Sequence, residues 1–327
     1  MSRKKRTNNA GDFIPFENLV PKNGKIGKKQ IITYIAIALV LIVCLFVKYS
    51  SSGDGWNNIS KTVNVNQNVV EEEGKFYAHF IDVGQADCEL LKCGDDVVLI
   101  DAGDVDGFES ISSYLDSQDV TEIDYFIITH MHADHMGSAA KVIEKYKPKN
   151  IIMTKLTQEN TPTTNLYKNL LKTISGCGAK IIQAKPGNAY ELSSFGFVVL
   201  APNDDYDELN NTSVVIKAYF GDTTYLFQGD AETKSENDIL KNGFKVNADV
   251  LKLGHHGSKT SNSEKYLDAV NPKVAVACCG KDNKYNHPHK EILERLEERN
   301  IELCRTDKDG NVVVVSDGKE ISIITER

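Results

Sequence analysis

The chain has 327 residues, 41% of them hydrophobic and 26% charged, with a formal net charge of −8; this length and composition suit one large or two small globular domains and exclude a disordered polymer. The charge is unevenly spread: residues 1–48 hold nine Lys or Arg against two Asp or Glu, which leaves 29 basic and 44 acidic residues, a balance of −15, over 49–327. Such a surface repels polyanions over about 8–10 Å, so bulk charge argues against tight, sequence-independent nucleic-acid binding. A phosphate-bearing substrate has to be drawn in by metal ions or by a local patch.

Residues 1–30 read as a basic tail. Ile31 to Val47 is an uncharged apolar run of 17 residues closed by Lys48, at the lower limit for spanning a bilayer. The lysines and arginines before it orient such a span with the N-terminus in the cytoplasm. A single transmembrane anchor over 31–48 is therefore expected, with everything after it outside the cell. The leader is too long for a cleaved signal peptide, and no small-residue cleavage site follows the run. Residues 49–75 lack sustained periodicity and read as a flexible linker, and 76–327 as the folded domain.

Within that domain short strands alternate with helices. Phe76 to Asp82, Cys88 to Lys92 and Val97 to Asp101 have strand character, followed by a helix near 108–115. Strands at 123–128, 151–153 and 180–183 are interleaved with helices at 138–146 and 166–174. Strands follow at 198–201, 214–220 and 224–228, then a helix at 232–241. The last part predicts strands at 250–253, 274–278, 301–305, 311–315 and 320–324, with helices after Ser263 and over 290–299. Mixed segments of this kind imply an α/β fold of two sheets covered by helices. Six cysteines lie beyond the apolar run, at 88, 93, 177, 278, 279 and 304, without a Cys-x-x-Cys pair; free buried thiols are expected.

The chemistry concentrates after the strand at 123–128. His130-Met131-His132-Ala133-Asp134-His135 packs three imidazoles and one carboxylate into six residues of a strand-to-helix loop. Neutral imidazole with carboxylate suits zinc, manganese or iron. Three more strand ends carry polar groups: Asp101 after Val98-Leu99-Ile100, Asp230 after Phe227-Gln228-Gly229, and His255-His256 after Lys252-Leu253-Gly254. Asn286-His287-Pro288-His289 follows. A two-metal hydrolase needs ligands converging from several strand ends and a carboxylate shared by both ions, a role for which Asp230 is the natural candidate. Gly254 to Thr260 lacks the Gly-Lys-Ser/Thr adjacency of a phosphate loop, so no nucleotide cofactor is expected. No Gly-x-Ser-x-Gly elbow points to a serine hydrolase.

Over about residues 75–327 these segments resemble the metallo-β-lactamase superfamily. The runs Phe80 to Asp87, Gly229 to Glu232, Gly254 to Ser258 and His287 to His289 resemble the extracytoplasmic hydrolase domain of the ComEC DNA-uptake proteins. The resemblance implies a four-layer αββα sandwich and two divalent ions, Zn or Mn. It places His130 and His132 on the first ion, Asp134 and His135 on the second, and Asp230 between them. His255 completes the second site, though the sequence does not separate it from His256. Asp134 and His287 become the catalytic pair, with His287 on a phosphoryl oxygen or the leaving group. Asp101, Asn211, His256 and Ser258 stand around them as supporting or substrate-side residues. Asp82 and Asp87 are expected to brace the first turn and the edge of the site.

The sequence departs from the family twice. No His occurs from Met136 through Gly254, so the first metal lacks a usual ligand and Asn211 falls near its place; Ala86 replaces a usual Gly. The implied function is a membrane-anchored, outward-facing phosphodiesterase or nuclease acting on DNA, with the DNA-uptake machinery as partner. With one apolar run the chain is not expected to form a channel itself. Two rivals remain: a phosphodiesterase of wall polymers such as teichoic acid, and a non-catalytic binding module stabilised by metal.

Overall fold

Strand formation begins earlier than the sequence suggests. The computed structural model describes residues 60–63, 69 and 71–327. The basic tail at 1–30 and the run read as an anchor over 31–48 lie outside those residues; among the described residues no helix is long and apolar enough to cross a membrane. Ser60–Val63, inside the segment expected to be a structureless linker, forms strand β1 and pairs in parallel with the last strand of the chain. Backbone pairing decided this, and it leaves no periodic signal in four residues.

The first half continues with β2 (Phe76–Phe80), β3 (Glu89–Cys93), β4 (Asp96–Ile100), β5 (Tyr125–Ile128), β6 (Asn150–Met153) and β7 (Lys180–Gln183). The second half supplies β8 (Ala189–Glu191), β9 (Gly196–Ala201), β10 (Val215–Phe220), β11 (Thr223–Phe227), β12 (Val250–Lys252), β13 (Val274–Ala277) and β14 (Glu302–Arg305), before β15 (Val312–Ser316) and β16 (Ile321–Thr325). One sheet has nine strands in the order β1-β16-β15-β2-β3-β4-β5-β6-β7, and the other seven, β14-β13-β12-β11-β10-β9-β8. The final hairpin thus returns to the first sheet.

Every residue of β2, β3 and β13 is buried, as strands covered on both faces must be. Phe76, Phe80, Leu91, Val98 and Ile127 of one sheet meet Phe197, Ile216, Phe227 and Val276 of the other in a central core. On the outer face of the nine-stranded sheet lie α1 (Phe108–Ser117), the single turn α2 (Ala133–Met136), α3 (Ala139–Tyr146) and α4 (Asn165–Gly176). Helix α1 buries Ile111, Tyr114 and Leu115, and α4 buries Tyr167, Leu170 and Ile174, the spacing of a single helical stripe. Against the seven-stranded sheet pack α5 (Thr233–Lys241), α6 (Glu264–Val270) and α7 (Lys290–Glu298), burying Ile239, Leu267 and Ile292. A last turn, α8 (Thr306–Asp309), follows β14. The order is helices, sheet, sheet, helices.

Strands β4 and β5 run parallel, as do β11, β12 and β13. Their carboxyl ends release the segments beginning at Asp101, Thr129, Gln228, Leu253 and Cys278. This shared polarity brings residues distant in sequence to one edge of the sandwich.

Candidate metal centre

The loop after β5 is fixed from behind by Asp101, which sits in the left-handed region at φ 57°. Its carboxylate accepts from Thr129 N–H (2.8 Å) and Thr129 Oγ1–H (2.6 Å), and its Oδ2 also accepts from His135 Nδ1–H (2.7 Å). His135 therefore aims Nε2 forward, 3.3 Å from Oδ1 of Asp230. Opposite, His256 donates Nδ1–H to the carbonyl of Cys278 (2.8 Å), which turns its Nε2 towards Asp134 Oδ2 (3.4 Å) and Asp230 Oδ1 (3.7 Å). Oriented imidazoles backed by an oxygen acceptor are the usual support of a metal ligand.

Of the four groups of potential ligand atoms among the described residues, each within 4.8 Å internally, two lie at the strand ends around Asp230: Asp134, His135, Asp230 and His256 form one, and His130, His132 and Asp230 the other. Asp230 belongs to both. Its Oδ1 faces His135 and His256, while its Oδ2 lies 3.8 Å from His130 Nε2. His135 Nε2, His256 Nε2 and Asp230 Oδ1 are buried without hydrogen-bond partners. Orphaned polar atoms are costly in a folded interior, and three that converge on one point fit a divalent cation.

The electrostatics agree. Burial pushes the His130 pKa well below the ordinary value, and neighbouring His135 adds to this, so its imidazole is neutral and free to ligate. Burial opposes charge on Asp230, yet His135 and His256 hold its carboxyl well below the usual range. Burial would also neutralise His135, but Asp230 and Asp101 together raise its pKa well above the ordinary value. The cluster gathers negative charge that a cation would compensate in place of protons.

His255 stands apart from the ligand expected of it. Its Nε2 is 3.7 Å from Asp230 Oδ2, but its Nδ1 is taken up at the rim, 3.4 Å from Glu232 Oε1 and 3.3 Å from Thr260 Oγ1. The histidine that turns inward, into the group of potential ligands, is His256. Both histidines are left-handed, with φ of 51° and 55°, inside the 3₁₀ turn Gly254–Gly257, and this reversal throws one ring inward and the other to the edge. Gly257 permits the turn: at φ +86°, a Cβ there would meet Pro288 at 2.7 Å.

Asn211 is not aimed at the metal group. Its Oδ1 accepts from Glu232 N–H and Ser235 N–H (3.2 Å each) and ties down the start of α5. Beside His130 Nδ1 stand the hydroxyls of Thr129 (3.2 Å) and Ser213 (3.4 Å), and Ser213 Oγ also accepts from Asp230 N–H (3.1 Å). Ser258 is spent on its own loop through Thr260, 3.0 Å from that hydroxyl, and does not line the cavity. Asp82 pairs with Arg327 at 2.6 Å, and its Oδ1 braces Gly84 N–H at 3.3 Å. Asp87 has a deeper place. It is fully buried against Lys252, with Oδ1 3.1 Å from His256 Nδ1. Burial opposes charge on both partners, but each holds the other ionised. The lysine in Val250-Leu251-Lys252-Leu253, a lone charge in an apolar strand, was the sequence signal for this pair.

The cluster opens into a cavity of about 300 Å³ bordered by Gln85, His132, Asp134, His255, Tyr285 and His287. Gly280 N–H donates to Gln85 Oε1 (3.0 Å), which fixes the amide so that its Nε2 faces His287 Nδ1 (3.4 Å). His287 then carries its proton on Nε2. Burial, aided by the charges of His256 and His255, pushes its pKa down to about 4. Sequence reasoning missed Gln85 and Tyr285, since neither residue type marks a metal site.

A family model described as the metallo-beta-lactamase superfamily matches residues 81–281. ComE operon protein 3 of Bacillus subtilis is 29% identical over 251 residues, covering 71% of this chain and 32% of that protein. Recombination protein 2 of Haemophilus influenzae is 30% identical over 240 residues, 72% of this chain and 28% of that protein. Competence protein ComA of Neisseria gonorrhoeae is 29% identical over 233 residues, 70% and 30% respectively. The chain thus spans about a third or less of these relatives, and the resemblance to the ComEC-type hydrolase domain is borne out.

Proposed function

Because this chain belongs to the metallo-β-lactamase superfamily, we propose that it is a metal-dependent phosphodiesterase that cleaves DNA, anchored by residues 31–48 with its hydrolase domain outside the cell. The observation that carries the hydrolytic reading is the convergence of three orphaned, buried ligand atoms around Asp230. His130 and His132 would hold one Zn or Mn ion, Asp134, His135 and His256 the other, with Asp230 shared. Such ions supply a water acidic enough to act near neutral pH and positive charge for the phosphoryl oxygens.

The chain's own residues do the rest. Asp101 and the Cys278 carbonyl orient His135 and His256, and the buried Asp87–Lys252 pair backs His256. His287, neutral near pH 7 and held by Gln85, presents Nε2–H to the cavity. That suits a hydrogen bond to a phosphoryl oxygen better than proton delivery to a leaving group. DNA as substrate is supported by the competence and recombination proteins to which the chain is similar.

The test uses the full-length chain loaded with manganese or zinc, given single- and double-stranded DNA and a bis-aryl phosphodiester, with a chelated control. Metal-dependent DNA cleavage is expected. Cleavage of the small diester alone would move the substrate to a wall polymer, and inactivity on all three would leave a binding module.

A further inference from the structure

Four large apolar side chains are conspicuously exposed among the described residues, Val105, Leu171, Ile181 and Tyr285, and only Tyr285, half exposed, lines the cavity of the metal cluster. Its ring lies on the imidazole of His287, with centroids 5.6 Å apart and planes 23° apart. His287 in turn lies over His256, at 6.1 Å and 24°. A column of flat groups thus runs from a candidate metal ligand to solvent. The Nζ of Lys284 stands 5.0 Å from the Tyr285 centroid, and Lys281 is exposed on the same loop.

This loop is held in place. Asn283 Nδ2 donates to the carbonyls of Gly280 (3.0 Å) and His287 (2.7 Å), and its Oδ1 accepts from His287 N–H (2.9 Å). The ring is therefore displayed in advance of binding, and little ordering entropy is lost when a partner stacks on it. A flat ring at the mouth of a phosphate-cleaving site, with a cation beside it, matches a nucleotide: a base for the ring and a phosphate for the ammonium. A base inside a duplex has both faces covered by its neighbours. An unpaired base does not, and every base offers a π-face.

Resting on the phosphodiesterase reading above, we propose that Tyr285 is the stacking platform for an unpaired nucleobase beside the scissile phosphate, so that the protein selects single strands or frayed ends. The rival occupant of an exposed aromatic ring is a quaternary ammonium, as on a choline-bearing polymer. Recognition of that group uses a cage of several rings without a competing cation. Among the described residues lining this cavity Tyr285 is the one Phe, Tyr or Trp ring, and Lys284 would repel the ligand.

The experiment compares the full-length, manganese-loaded chain on a single-stranded oligonucleotide and on the same strand carrying an abasic residue, in the wild type, Tyr285→Ala and Tyr285→Trp. Stacking predicts about a tenfold preference for the intact strand in the wild type. That preference should be kept by tryptophan and shrink to within about twofold with alanine. Emission from 2-aminopurine in the strand should be quenched on mixing with the wild type and not with Tyr285→Ala, a readout independent of turnover. Equal use of both strands by the wild type, or a preference unchanged in the alanine variant, would overturn the proposal. So would a greater loss of glycerophosphocholine turnover than of oligonucleotide turnover in Tyr285→Ala. If no strand is cut by any variant, the nuclease reading fails, and the fluorescence still decides whether Tyr285 stacks a base.

Discussion

His79 lies in β2, fully buried, with Nδ1 3.0 Å from the Tyr114 hydroxyl. Burial, with Lys92 acting in the same direction, pushes its pKa down to about 3. The folded pKa is therefore below the unfolded one of about 6.5. Above pH 6.5 neither state carries the proton; as pH falls from there towards 3, the unfolded chain binds it and the native chain does not, so stability is lost across that window. At pH 4 the loss from this one group is about 3 kcal/mol. Urea titrations at pH 7 and pH 4 should show a markedly smaller difference in His79→Leu than in the wild type. Asp101 acts by orientation: in Asp101→Asn an amide would face the Nδ1 proton of His135, and affinity for manganese or zinc should fall about 10–100-fold, read by competition with a chromogenic chelator. The six-residue cluster at 130–135 was legible from residue type and spacing alone. The choice between His255 and His256 was not, because two adjacent histidines have the same composition and only the left-handed turn separates their directions. Asn211 misled for a related reason: its work at the start of α5 depends on a helix that folds back from more than twenty residues downstream.

Elements with a strong apolar period were readable. Helix α4 was expected over 166–174 and covers Asn165–Gly176; α5 was expected over 232–241 and covers Thr233–Lys241. Three short elements, β1, β8 and α8, were missed: they span three or four residues each and are stabilised by neighbours rather than by an apolar pattern of their own. Strand β1 has a testable consequence, because it covers the outer edge of β16 through residues 60–63. A chain starting at residue 58, where the compact unit begins, should stay monomeric in size-exclusion chromatography. One starting at residue 64 would bare that edge, and should unfold several degrees earlier and self-associate. Identical behaviour of the two would mean that β1 contributes nothing in solution.

For the whole molecule, the decisive property is where the domain resides. The basic leader and the apolar run predict an outward-facing domain, so protease added to intact cells should remove 76–327 while a cytoplasmic control survives. Survival of the domain would place it inside. The acidic balance of −15 over residues 49–327 implies that long-range attraction does not bring a polyanion to the site, and DNA cleavage should be limited by encounter at low salt and speed up as salt is added. The candidate ligands come from both halves of the sandwich: His130, His132, Asp134 and His135 follow β5 in one sheet, and Asp230 and His256 follow β11 and β12 in the other. Ions bound there would act as a clasp across the two layers. Loading would then be felt as resistance of the entire sandwich to melting. The dependence also runs backwards: any change that lets the sheets slide apart, however far from the histidines, must weaken the grip on metal by the same factor by which metal opposes the sliding.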